Sequence, residues 1–396
     1  MDKIHIVITG RRNTGKSSLI NCILGQTKAV VSDIPGTTTD PVKKSYELPG
    51  VASLVLIDTA GIDDEGKLGK LRIGKTWEAV QQADAAILVT TNNQFGPYEE
   101  QLLRHFQTSG LPFVILHNQS DLVSPNPAFC QEIKKKFNTS IIPFSTFQPD
   151  HSALTKAITR LADKPKPHSL LEELIQPGQL VMLVTPIDSE APAGRLILPQ
   201  VQMLRDILDH HCTGIVLQPE EIPAFFSVPG TPLKPDLVIT DSQVFAKVAP
   251  LIPASVPLTS FSIILAHQKG NFEKYMEGTP QIEQLKNGDR ILMLESCSHH
   301  ASCEDIGRIK IPALLQKYTG KQLQFDFIAG LDQIRRPFTD YALIIQCGGC
   351  MVTSRQLYNR LKPAIEAGIP VTNYGMTISW IQGIFERATK MFRTKK

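Results

Sequence analysis

Short apolar runs alternate with amphipathic stretches along almost the entire chain. Near the amino terminus "KIHIVITG" (3–10) predicts a strand, "GRRNTGKSS" (10–18) a polar turn, and "LINCILG" (19–25) a helix. "LVLIDTAG" (54–61), "FVILHNQSD" (113–121) and "SIIPFST" (140–146) are further apolar runs ending in small or polar residues, the pattern of buried strands. The pattern breaks at "ADKPKPHS" (162–169), where two prolines spaced by lysine predict a stiff, solvated connector. Beyond it, "LVMLVTPID", "GIVLQ", "DLVITD" and "VPLTSF" read as strands, and "VQMLRDILDHH", "EEIPAFF" and "SQVFAKVAPL" as helices between them. A third stretch repeats the alternation. "RILMLES", "KQLQFDF", "YALIIQ" and "PVTNYG" are strands, while "IGRIKIPALLQKY", "TSRQLYNRLKPAIEAG" and "MTISWIQGIFER" are helices. Such alternation predicts an α/β fold of parallel sheets covered by helices on both faces. We expect three α/β domains, spanning residues 1–165, 170–262 and 263–396, the second and third smaller than the first.

Composition narrows the picture modestly. A length of 396 residues and 42% hydrophobic content support more than one core. A charged content of 20% and a net charge of +3 argue against a dominant nucleic-acid surface. The chain shows neither a signal peptide nor an apolar run long enough to span a bilayer, so a cytoplasmic location and no membrane partner are expected. The 7 cysteines then do not suggest a disulfide framework.

Gly10 and Gly15-Lys16-Ser17 fit G-x4-G-K-[ST], placed between a strand and a helix as that motif requires. Glycines let backbone amides turn inward around phosphate oxygens. Lys16 would neutralise the β and γ oxygens, Ser17 would ligate Mg2+, and Ser18 extends the phosphate-contacting run at the helix start. Asp58, in "DTAG", can hold Mg2+ through water, and the Gly61 amide can reach a γ-phosphate. Asn118 and Asp121, in "NQSD", point to guanine, because a carboxylate at 121 accepts both N1–H and N2–H, which adenine does not offer. Ser145 and Thr146 would close over the base. Motifs in this order resemble the Era/TrmE-type GTPases across roughly residues 1–162. The resemblance implies that "PGTTTD" (35–40) is switch I, with Thr38 as a Mg2+ ligand, and that Lys16, Thr38, Asp58 and Gly61 serve GTP hydrolysis. It also implies K+ at Asn13, matching the asparagine of the K+-activated members. Two positions depart from the family: Gln119 replaces a lysine whose stem packs along guanine, and Ile62 replaces a water-orienting glutamine. Slow, K+-stimulated hydrolysis is the expectation.

Residues 170–260 carry no catalytic cluster, so they read as an assembly platform. The last quarter holds Cys297, Cys303, Cys347 and Cys350. A lone Cys347-x-x-Cys350 fits a redox pair or a zinc site weakly, since zinc usually takes two such pairs. Cys297 and Cys347 both follow strands, and Cys297, Cys347 and Cys350 form a thiolate set that suits an iron–sulfur cluster with one iron open. Cys297-Ser-His299, followed by Gln346-Cys347-Gly-Gly-Cys350, resembles the CxH…HCxxC signature of the HydF family of [FeFe]-hydrogenase maturation GTPases. Gln346 stands where that family has its second histidine. The resemblance implies a [4Fe-4S] cluster whose fourth ligand is His299, Glu304 or an exogenous group. It also implies a homodimer through the middle domain and a scaffold role. A transient diiron subcluster made with HydE and HydG would be carried to the hydrogenase HydA. The competing readings are an RNA- or ribosome-associated assembly GTPase with a structural metal site, and a zinc-structured regulatory GTPase. No nucleic-acid partner is expected.

Overall fold

The structure, a computed structural model, describes residues 3–25, 33–34, 41–48, 52–64, 66–162, 169–187, 196–227, 234–296 and 306–393. All counts below refer to these residues. The chain forms two compact units, Met1–Pro167 and His168–Lys396.

The first unit contains β1 (Ile4–Gly10), α1 (Lys16–Leu24), β2 (Asp33–Ile34), β3 (Val42–Leu48), β4 (Ala52–Asp58), α2 (Gly66–Gln82) and β5 (Ala85–Thr90). It continues through α3 (Pro97–Thr108), β6 (Phe113–His117), α4 (Pro127–Phe137), β7 (Ile141–Pro143) and α5 (His151–Ala162). The sheet order is β2-β3-β4-β1-β5-β6-β7. Pairing is parallel from β4 to β7 and antiparallel at the β2-β3-β4 edge. The central strands are apolar throughout because both faces are covered. Ile6, Ile8 and Ile87 pack with Leu19, Ile20 and Leu154 on one side, and Val7, Ala86 and Leu88 with Val80, Leu102 and Phe106 on the other.

The second unit holds two parallel sheets. The first sheet's elements are β8 (Leu180–Val184), α6 (Leu198–Asp209), β9 (Thr213–Leu217), α7 (Ile222–Phe226), β10 (Leu237–Thr240), α8 (Phe245–Val248) and β11 (Leu258–Ser260). Then come α9 (Phe261–Lys269), α10 (Phe272–Gly278), β12 (Arg290–Leu294), α11 (Ile311–Thr319), β13 (Gln324–Ile328) and β14 (Leu343–Gln346). The chain ends with α12 (Ser354–Glu366), β15 (Val371–Asn373), α13 (Tyr374–Ile381) and α14 (Phe385–Thr389). Strand orders are β11-β10-β8-β9 and β13-β12-β14-β15. One apolar core serves both sheets, since Met182, Val184 and Phe245 join Tyr275, Leu292, Ile345 and Met376 in it. Polar contacts reinforce the join: Thr259 Oγ1 donates to Ala388 O at 2.9 Å, and Arg387 donates to the carbonyls of Ala249, Ile252, Pro253 and Val256.

Two elements differ from the pattern-based expectation. The helix expected over 376–387 is two helices, α13 and α14, because Gly383 adopts φ 70° and ends the first in a left-handed turn. The helix expected from Ile306 starts with a π-helical turn, Ile306–Lys310, before α11.

Gly278 shows how closely α10 sits on β15. A Cβ there would lie 2.1 Å from Val371 O and 2.8 Å from Val371 N, both backbone atoms that cannot swing away. Gly278→Ala should therefore lower the stability of the second unit by about 1–3 kcal/mol. Urea unfolding followed by near-UV dichroism checks this; an unchanged midpoint would mean that α10 and β15 are not so close.

Candidate functional site

The loops that follow β1, β4, β6 and β7 meet at the carboxyl edge of the first sheet. Gly10 closes β1, Asn13 takes φ 58° and Gly15 φ 85°, and α1 begins at Lys16. Gly15 is dictated by proximity as well as by dihedral, because a Cβ would lie 2.3 Å from Asn118 Nδ2. That amide donates to Thr14 O at 2.9 Å, while Asn118 Oδ1 accepts from Thr146 N at 3.3 Å. One buried side chain thus ties the phosphate-type loop to the base-type loop. Ser145 Oγ accepts from the amides of Phe147 and Gln148, and Asp121 stands exposed nearby in sequence on the loop after β6.

Lys16 is buried, and its ammonium donates to Gly10 O at 3.3 Å and Arg11 O at 2.6 Å. Burial lowers its pKa from the ordinary lysine value, with Asp58 pulling the other way. Ser17 Oγ donates to Asp58 Oδ2 at 2.6 Å. Asp58 Oδ1 is buried without a hydrogen-bond partner. A hydroxyl and a carboxylate in contact, with one carboxylate oxygen left over, fit a hard divalent cation such as Mg2+. Gly61 and Ser18 lie on the same edge. Thr38 lies outside the described residues.

Several contacts were not foreseen. Arg11 pairs with the buried Glu99 through two hydrogen bonds, 2.7 and 3.0 Å, clamping the phosphate-type loop to the start of α3. Asp63 Oδ1 accepts from Arg12 N at 2.7 Å, and Asp64 lies 3.3 Å from Arg12 Nε. Ile62 turns into the core, 2% exposed, so position 62 contributes no polar group to this edge.

The second candidate site lies at the carboxyl edge of the second unit's sheet β13-β12-β14-β15. Leu294 and Gln346 are register partners, and Cys347 N donates to Leu294 O at 2.9 Å. Ser296 N then donates to Cys347 Sγ at 3.1 Å, and that thiol donates to Ser296 Oγ at 2.9 Å. Ser296, in contact with Cys347, is the last described residue before Cys297. Cys297, His299, Cys303 and Glu304 lie outside the described residues. Burial first, and Cys347 second, push the Cys350 thiol above its ordinary range, with Lys269 opposing them. Two cations frame the loop, Lys269 buried and Arg360 half-buried. Lys269, at the end of α9, donates to Gly349 O at 3.4 Å and Val352 O at 3.2 Å. Arg360, on α12, donates to Glu295 O at 2.7 Å and Ile328 O at 3.1 Å. Its pKa is lowered by burial, while Cys347 favours its charge. The amino end of α12, capped by Thr353, follows directly. Soft donors beside two largely desolvated cations and a helix amino terminus fit an anionic thiolate-held cluster. Among the described residues no group of three or more His, Cys, Asp and Glu is gathered as a metal site. Gln346 is fully buried and donates to Ser296 Oγ at 3.1 Å, with its Oε1 left unpartnered.

Lys269 and Arg360 carry a recognisable signal. Lys269 ends a helix that is otherwise almost wholly buried, and Arg360 falls on the buried stripe of α12 formed by Gln356, Leu357, Leu361 and Ala364. A cation at a core position asks for an anionic or carbonyl partner.

Comparison with known proteins assigns the second unit. The model for the Hydrogen maturase F dimerization domain matches residues 170–270, and that for the Hydrogen maturase F tetramerization domain matches residues 273–391. The chain belongs to the HydF family. A third model, described as 50S ribosome-binding GTPase, matches residues 5–119, which places a GTPase domain ahead of the two HydF domains. Curated relatives resemble part of the chain. The tRNA modification GTPase MnmE of Hydrogenovibrio crunogenus is 35% identical over 125 residues, 31% of this chain and 28% of the relative. GTPase Der of Persephonella marina is 34% identical over 167 residues, 40% of this chain and 37% of the relative. The chain thus spans well under half the length of these relatives. Among solved structures, Era of Aquifex aeolicus with bound GDP and aluminium fluoride is 21% identical with a TM-score of 0.36, covering 58% of this chain and 99% of that one. The G domain of the T. maritima FeoB iron transporter is 21% identical with a TM-score of 0.32, covering 41% and 99%. No described helix of this HydF-family chain is long and apolar enough to cross a membrane.

Proposed function

We propose that the chain is a GTP-hydrolysing scaffold for [FeFe]-hydrogenase maturation. It would hold a [4Fe-4S] cluster and carry a diiron subcluster from HydE and HydG to apo-HydA, in the cytoplasm. Residues 1–165 bind GTP, 170–262 dimerise and 263–396 hold the cluster. The observation that carries the reading is the pairing, within a HydF-family chain, of a phosphate-type loop with a cysteine loop framed by Lys269 and Arg360.

In the GTPase unit, Lys16 exchanges its Gly10 and Arg11 carbonyls for β and γ oxygens, which gives the buried ammonium an anionic partner. The Gly61 amide donates to the γ-phosphate, and Gly10, Gly15 and Ser18 shape the amide cradle. Asp121 selects guanine, with Asn118, Ser145 and Thr146 holding the loops around the base. Ser17, Thr38 and, through water, Asp58 would hold Mg2+; Asn13 would hold K+. These cations supply positive charge to the transferring phosphoryl group. With Ile62 buried, no side chain at 62 orients the attacking water, so turnover is slow. In the second unit, Cys347 and Cys350 with Cys297 would hold the cluster, and His299, Glu304 or an exogenous ligand its fourth iron. When bound, the cluster supplies an iron with an exchangeable position. The chain's own residues exclude water and balance charge around it.

Self-association is supported by the names of both family models and by the edge strand β9. Its residues are largely exposed, with Val216 at 41%, and Val201 and Leu208 of α6 are exposed beside it. A second copy of this chain covering β9 would satisfy both its backbone edge and this apolar face.

Two outcomes follow. GTP turnover should be slow, rise when K+ replaces Na+, and lose that difference in Asn13→Ala. Lys16→Ala should abolish turnover yet keep the brown, charge-transfer absorption of the anaerobic protein. Equal wild-type rates in both salts would remove the K+ role. Separately, Val216→Asp should convert a dimer to a monomer at micromolar concentration in sedimentation velocity; a monomeric wild type would contradict the interface.

A further inference from the structure

Two arginines stand side by side in the phosphate-type loop, and the fold holds them differently. Arg11 is locked: its side chain is 17% exposed and makes two hydrogen bonds to the buried Glu99. Arg12 is held loosely. Its side chain is 63% exposed, with Nε 3.3 Å from Asp64 Oδ1. The same carboxylate has Arg72 Nη1 at 3.8 Å from its other oxygen. An ion pair this open to water binds its partners weakly.

The second observation is where Arg12 starts from. Its amide donates to Asp63 Oδ1 at 2.7 Å, which fixes its backbone against the segment after β4. Gly61 lies directly on it: a Cβ at Gly61 would sit 2.8 Å from Arg12 N and 2.3 Å from Arg12 Cγ. Gly61 is the residue whose amide is read as reaching the γ-phosphate. Its neighbour Ile62 is buried and offers that edge no polar group. An exposed guanidinium therefore projects from beside the γ-phosphate donor, on a loop that Arg11 anchors.

We infer that Arg12 is a catalytic residue of GTP hydrolysis, exchanging Asp64 for the γ-phosphate and supplying positive charge from within the chain. The inference rests on the GTP reading of the first unit and adds a residue to it. Water adds to the γ-phosphorus, and the bond from phosphorus to the β,γ-bridging oxygen breaks. That oxygen leaves on GDP with the electron pair. The water's oxygen goes to inorganic phosphate with one of its protons, and the other proton passes to solvent. A guanidinium keeps its charge throughout, and its fork of donors matches phosphoryl oxygens. Asp64 keeps Arg72 when Arg12 leaves, so the exchange strands no carboxylate. GDP has no γ-phosphate, so Arg12 acts on turnover and not on GDP affinity.

The test uses the full chain. Single-turnover GTP hydrolysis is measured beside binding of N-methylanthraniloyl GDP, with and without aluminium fluoride as a mimic of the transferring phosphoryl group. Arg12→Ala should slow hydrolysis by roughly tenfold or more. It should leave GDP affinity within twofold and lose most of the tightening that aluminium fluoride gives. Arg12→Lys should recover part of both. Asp64→Asn removes only the resting partner and should slow hydrolysis far less than Arg12→Ala. An Arg12→Ala rate within twofold of the wild type, tightening by aluminium fluoride that survives Arg12→Ala, or equal slowing by Arg12→Ala and Asp64→Asn overturns the catalytic role alone. A wild type that does not hydrolyse GTP overturns the GTP reading and this inference together.

Discussion

A parallel strand cannot hairpin back onto its neighbour; every connection must cross over the sheet. That constraint brings the carboxyl ends of all parallel strands to one edge, and both candidate sites of this chain are built there. In the first unit, Asn118 reaches Thr14 across 104 positions of sequence because β6 and β1 deliver their following loops to the same edge. In the second, Ser296 meets Cys347 across 51 positions because β12 and β14 are neighbours in register. Neither site depends on a contiguous stretch. Each depends on a sheet order, and the sheets hold because their strands are apolar on both faces.

Desolvated charge is the second organising feature. Lys16, Lys269 and Arg360 are cations held largely away from water, and each donates to backbone carbonyls. Carbonyls offset part of the desolvation cost of a cation but not all of it, as the lowered pKa values of Lys16 and Arg360 reflect. A polyanionic nucleotide at the first position and thiolates at the second are the groups that such an arrangement receives most favourably. Glu99 does for Arg11 what the carbonyls do only in part: it is a full counter-charge, and it ties the phosphate-type loop to α3.

What could be read from the chain alone follows the range of each interaction. The strands ending at Gly10, Asp58, His117 and Gln346 are local apolar runs, and the motifs after them have fixed spacing, so they were legible. The split between α13 and α14 was not, because an apolar period runs straight through Gly383 and only its dihedral ends the helix. The π-helical turn at Ile306–Lys310 likewise keeps helical spacing while altering its geometry. Long-range pairs were invisible: nothing near Arg11 names Glu99, and nothing near Gly349 names Lys269. Thr38, Cys297, His299 and Glu304 stand on sequence resemblance, outside the described residues. Gln346 was read as a missing histidine; in the fold it is a fully buried amide that holds Ser296.

The claim on which the account turns is that the cysteine loop holds iron and sulfide independently of the nucleotide. The most direct measurement is iron and acid-labile sulfide content of the anaerobically reconstituted chain, with the wild type and Cys347→Ser treated side by side. The account predicts iron and sulfide in equal amounts in the wild type, the proportion of a [4Fe-4S] cluster, and loss of most of both in Cys347→Ser, which still turns over GTP. Zinc in place of iron, or an unchanged cluster in Cys347→Ser, would contradict it.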